Sequence, residues 1–125
     1  MARVVMIGID PDLVDFSDPA LPPGMNADII KRGIEKGLEL MREAGHDAEP
    51  FVITPDQAGI DRVAARLAQG GVDCVTIGGG VHRPNSMVPL FEALVNLAAL
   101  CPSHPAIAFV SRPDETLEGL KRVLG

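Results

Sequence analysis

Residues 2–9, ARVVMIGI, decide the fold. Val4, Val5, Met6 and Ile7 follow one another with no polar residue between them, as in a strand buried on both faces. Blocks of the same kind recur at 48–53, 72–77 and 106–110, each followed by turn residues and then by helical spacing. Strands alternating with helices in this way imply a parallel sheet covered on both sides. The expectation is one α/β domain over residues 1–125. It is a three-layer sandwich whose four parallel strands lie in the order 2-1-3-4, a shortened flavodoxin-like sheet.

The helices carry their own punctuation. The first is expected over 27–44 with Asn26 as its cap, and its inner stripe reads Ile30, Ile34, Gly37 and Met41, flanked by Gly33. The two glycines cost roughly 1 kcal/mol each in helix propensity, and close approach of the helix to the sheet is the expected return. Thr54-Pro55-Asp56-Gln57 reads as a capping box opening the second helix, and Gly70-Gly71 ends it. The third helix is expected over 86–100. Ser111-Arg112-Pro113-Asp114 has the pattern that opens a fourth, with acids early and Lys121 and Arg122 late, as the helix dipole favours.

Composition narrows the function. The chain has 125 residues, 46% of them hydrophobic, with 11 basic against 17 acidic side chains and a net charge of −6. That balance argues against nucleic-acid binding and against a basic membrane-surface module. Trp and Tyr are absent and there are four Phe, so aromatic platforms for bases are not expected. Two cysteines, no secretory signal and no apolar run of about 18 residues read as a cytoplasmic protein with no membrane span. Cys74 and Cys101 have no activating motif and are expected as buried thiols.

In an open parallel sheet a ligand sits beyond the carboxyl ends of the strands, where the strand order reverses. Two unusual segments fall there. Residues 10–26, DPDLVDFSDPALPPGMN, far exceed the roughly 2–6 residues common for such a connection. They carry Asp10, Asp12, Asp15 and Asp18 together with Leu13, Val14, Phe16 and Leu21, so the segment should fold back on the domain and can serve as a lid. The second segment is Gly78-Gly79-Gly80-Val81-His82-Arg83. Its glycines let backbone come close to a ligand, and its N–H groups with His82 and Arg83 can hold an anion. Ser111 and Arg112 approach from the last connection. The expected ligand site is therefore Gly78, Gly79, Gly80, His82, Arg83, Ser111 and Arg112, occupied by a small anionic or phosphorylated molecule, with Asp10, Asp12 and His82 as candidates for acid–base work. No dinucleotide fingerprint, Walker loop, nucleophile elbow or Cys/His metal cluster is present, so no cofactor is evident.

Asp10-Pro11-Asp12-Leu13-Val14, directly after the first strand, is similar to the D-x-D-x-T/V motif of haloacid-dehalogenase-type phosphatases, and Thr54 stands where that family closes its second strand with Thr. The resemblance implies Asp10 as nucleophile, Asp12 as general acid/base and a Mg²⁺ held beside them. The family's lysine has no evident counterpart, and its later acidic motif is reduced to residues 111–114. A broader pattern comprises Ile7-Gly8-Ile9-Asp10-Pro11, Val14-Asp15-Phe16-Ser17-Asp18-Pro19, Val72-Asp73-Cys74-Val75 with Ile77-Gly78, and Leu90-Phe91-Glu92 with Val95-Asn96. It resembles a group of small bacterial α/β proteins of unassigned function, and implies a stand-alone protein without naming catalytic residues.

The third helix is more apolar than one sheet requires. Met87, Val88, Leu90, Phe91, Leu94, Val95, Leu97 and Ala98 cover an arc of about 180°, against the 100° or slightly more that a covering helix needs. The excess predicts a homodimer through helix 86–100, and a non-enzymatic interaction module is the third expectation for function.

Overall fold

A computed structural model describes all 125 residues. Four strands, β1 (Arg3–Ile9), β2 (Asp47–Ile53), β3 (Cys74–Ile77) and β4 (Ala106–Phe109), form one parallel sheet in the order β2-β1-β3-β4. The sequence-derived order is the observed one. Five helices surround it: α1 (Ala27–Glu43), α2 (Gln57–Ala68), α3 (Gly79–His82), α4 (Val88–Leu100) and α5 (Thr116–Leu124). No helix is long and apolar enough to cross a membrane.

The two faces of β1 build two cores. Val5, Ile7 and Ile9 face α2 and α4, meeting Val63, Leu67, Leu90 and Leu94. Val4 and Met6 face the opposite side, with Met41 of α1 and Leu120 of α5. Alternation along the strand thus survives in side-chain direction although both directions are apolar.

Both sheet edges are closed in the same manner. In β2, Pro50 stands at an outward-facing position, where its missing N–H costs no ladder bond. The outward carbonyl of Val52 accepts from Arg62 Nη1 at 2.6 Å, and that of Phe109 in β4 accepts from Arg122 Nη2 at 2.9 Å.

Several local expectations change. Asn26 caps α1, accepting the Ile29 N–H at 2.9 Å. The cap of α2 is Asp56 and not Thr54: Asp56 accepts the Gly59 N–H at 3.1 Å, while Thr54 Oγ1 donates to the Asp56 carboxylate. Ser111 caps nothing, because a 3-10 turn, Pro113–Glu115, leads into α5 without a side-chain cap. The close approach of α1 is to the β4–α5 connection and not to the sheet. A Cβ on Gly37 would lie 2.3 Å from the Pro113 carbonyl oxygen, whereas one on Gly33 would meet only Pro113 side-chain carbons at 3.6–3.7 Å. The glycine-rich segment after β3, read as a turn, closes into the one-turn helix α3.

Much of the α4 apolar arc is covered within the chain. Leu90, Leu94 and Ala98 are buried, and Phe91, Val95 and Leu97 pack partly buried against the core. Val88 and Leu100 remain exposed at the two ends of the helix.

Candidate functional site

Beyond the carboxyl ends of β1 and β3 lies a cavity of about 90 Å³. Its floor is the α1/α5 face of the sheet at Met6, Gly8 and Thr76, and its walls are Ile30 and Ile34 of α1. Those two isoleucines are only half-buried, unlike Gly37 and Met41 further along the same stripe, because they look onto this space.

The 10–26 segment forms the roof, and its composition explains how. Asp10 accepts the Asp12 N–H at 2.9 Å, Asp15 the Ser17 N–H at 3.0 Å, and Asp18 the Ala20 N–H at 2.9 Å. Three aspartates therefore make the same turn two residues ahead, a geometry their short carboxylates favour. The Ser17 hydroxyl and N–H hold the Asp15 carboxyl below its ordinary value. Between the turns, Val14, Phe16, Leu21 and Met25 point down and line the cavity. The acidic residues shape the backbone and the apolar ones close the roof.

Gly78, Gly79 and Gly80 from the α3 turn and Ser111 from the last connection stand at one side, with Thr116 of α5. The Gly79 and Gly80 N–H groups stand at the open end of α3, which has no side-chain cap. Space at Gly8 is real: a Cβ built there would find no atom within 4 Å. Thr76 is only 1% exposed, and its hydroxyl, which has no side-chain hydrogen bond within the protein, is open to the cavity that the residue lines. None of the 21 lining residues is ionisable. The arrangement can hold an apolar body and a few neutral polar contacts; it places no acid–base pair on the lining.

The residues singled out from sequence therefore separate. Gly78, Gly79, Gly80 and Ser111 come together on the lining. Arg83 lies at the lip: its Nη2 donates to Ser111 Oγ at 2.6 Å, and its stem passes within 3.4 Å of where a Gly79 Cβ would be. His82 turns to the other side of the sheet, with Nε2 at 3.0 Å from the Val110 carbonyl and the ring against Phe91 and Phe109. Gly79 and His82, at the two ends of α3, thus meet different neighbours. Arg112 pairs with Asp114 at 2.9 Å. Asp12 pairs with Lys31 of α1 at 3.0 Å, raising the Lys31 pKa, and Asp10 is engaged by the Asp12 amide. Neither aspartate lines the cavity, and no group of three His, Cys, Asp or Glu residues is placed to hold a metal ion.

Gly8 and Thr76 were not singled out from sequence. A glycine inside a central strand signals close approach of something to the backbone. Thr76 is the one polar residue in an otherwise apolar strand, a weaker signal because threonine suits strands anyway.

Compared with known protein families and with curated proteins, the chain matches none.

Proposed function

We propose that this protein binds a small organic anion at the carboxyl edge of its sheet, beneath the 10–26 segment. The observation that carries the reading is the cavity itself. It lies where the strand order reverses, it is roofed by a segment whose Val14, Phe16, Leu21 and Met25 turn toward it, and its floor is left open by Gly8. Arg83 and Ser111 beside it supply the anion's partners. A lining without ionisable groups suits binding better than acid–base chemistry.

The test is a thermal-shift screen against carboxylates, sugar phosphates and nucleotides. A ligand present at about 100 times its Kd stabilises the native state by about 2.7 kcal/mol, a readily measured rise in melting temperature. A rise with an organic anion, reduced in Arg83→Ala, is the expected result. Stabilisation by none of these anions at millimolar concentration would refute it.

A second reading is favoured by a separate observation. Leu100 is 80% exposed, Val88 47% and Phe109 44%, all on α4 or the neighbouring β4 edge. Self-association through this side would cover them.

A further inference from the structure

The chemistry of the cavity restricts what its ligand can be, given that the anion reading above holds. Size comes first. An apolar cavity of about 150 Å³ accepts benzene, so about 90 Å³ accepts roughly four non-hydrogen atoms. A nucleoside or a sugar ring exceeds that volume.

Charge comes second. With no ionisable group on the lining, a carboxylate or phosphate placed deep inside would lose its hydration and gain no counter-charge. The negative end therefore belongs at the lip, where Arg83 reaches Ser111.

The third observation is Thr76. Its hydroxyl stands on the cavity floor, open to the cavity, and has no partner within the protein. A valine of nearly the same shape would offer the cavity no polar atom. The hydroxyl is satisfied when the ligand supplies an oxygen.

We propose that the cavity takes the uncharged part of a short-chain keto or hydroxy acid, whose keto or hydroxyl oxygen pairs with Thr76 while its carboxylate stays at the lip beside Ser111 and Arg83. The aliphatic carbons lie over Gly8 and against Ile30, Ile34 and the roof.

Two substitutions and three probes test this. Levulinate carries a keto oxygen and a carboxylate; valerate has the same chain length without the keto group; ribose phosphate is an anion with a polar body. Binding is read by calorimetry and by amide shifts in nitrogen-15 NMR spectra. The wild type should prefer levulinate to valerate by about fivefold to tenfold, the worth of one hydrogen bond. Thr76→Val should erase that preference by weakening levulinate alone. Gly8→Val, which places methyl groups in open space on a strand that favours β-branching, should abolish binding of both acids. Undiminished melting temperatures would show that each variant is folded.

Equal affinity for levulinate and valerate, unaffected by Thr76→Val, would overturn the oxygen contact while leaving the anion site standing. Binding of ribose phosphate that survives Gly8→Val would overturn the keto-acid proposal and move the anion wholly outside the cavity. No binding of any of the three would remove the proposal and the anion reading together.

Discussion

Gly33 and Gly37 occupy adjacent turns of α1, both beneath Pro113, and replacing each by alanine should change stability in opposite directions. Both substitutions gain the same helix propensity, about 1 kcal/mol. At Gly33 the new methyl meets the Pro113 ring carbons at 3.6–3.7 Å, an ordinary contact, so the propensity gain stands. At Gly37 it would sit 2.3 Å from the Pro113 carbonyl oxygen and 3.2 Å from the carbonyl carbon. Backbone must then move, and that oxygen also accepts the Thr116 hydroxyl at 2.7 Å. Overpacking of this kind costs about 1–3 kcal/mol, and loss of the hydrogen bond adds about 1 kcal/mol, which together outweigh the gain. The two variants should therefore differ by about 2–4 kcal/mol. For a domain of this size that separates their melting temperatures by about 10 °C, Gly33→Ala above wild type and Gly37→Ala below it. Calorimetry with parallel urea titrations measures both. If the two variants melted together, the close approach of α1 to the β4–α5 connection would be refuted.

Asp56 gives a pH test. Thr54 and then Gly59 lower its pKa from the ordinary 3.8, so its contribution is present above 3.8 and is lost as pH falls through the lower folded value. Asp56→Asn keeps an acceptor for the Gly59 N–H but does not titrate, so the wild type's melting temperature should fall relative to the variant's below that pH. Burial, with Asp73 adding its charge, pushes the Cys74 thiol up to about 11. Alkylation of Cys74 at neutral pH, followed by mass spectrometry, should thus proceed only as fast as the protein opens; a rate like that of a free thiol would contradict its placement. For the α4 side, sedimentation should show association that Leu100→Asp and Phe109→Lys weaken, and a wild type that is monomeric at micromolar concentration would dispose of that reading.

The layered architecture was legible because buried parallel strands leave continuous apolar blocks and because helix ends repeat a small set of residues. Asn26 was readable as the cap of α1, whereas at the start of α2 Thr54 and Asp56 are both good acceptors two residues apart and the nearer one to the helix takes the role. The α3 turn was hidden by three glycines, which disfavour helix locally yet are held in it by the surrounding chain. That hidden turn also decides where His82 and Arg83 point, so the polar side of the site was blurred with it. Of the four aspartates of the 10–26 segment, Asp10 and Asp12 drew attention for acid–base chemistry, and three of the four, Asp10, Asp15 and Asp18, accept turn amides. Gly8 and Thr76 matter through space and an unmet hydroxyl, which exist only once three other segments have closed around them.

The two arginines at the sheet margins bear on how the molecule can grow. Arg62 and Arg122 each bind an outward carbonyl that an incoming strand would need, and they do so at opposite edges. A fifth strand from another copy must first displace a guanidinium, which leaves a charge to be rehydrated beside apolar Phe51 or Phe109. Edge-to-edge growth of the sheet is thereby opposed at both margins, and any contact between copies would fall to helix faces, where side chains, not ladders, would set its strength and reversibility.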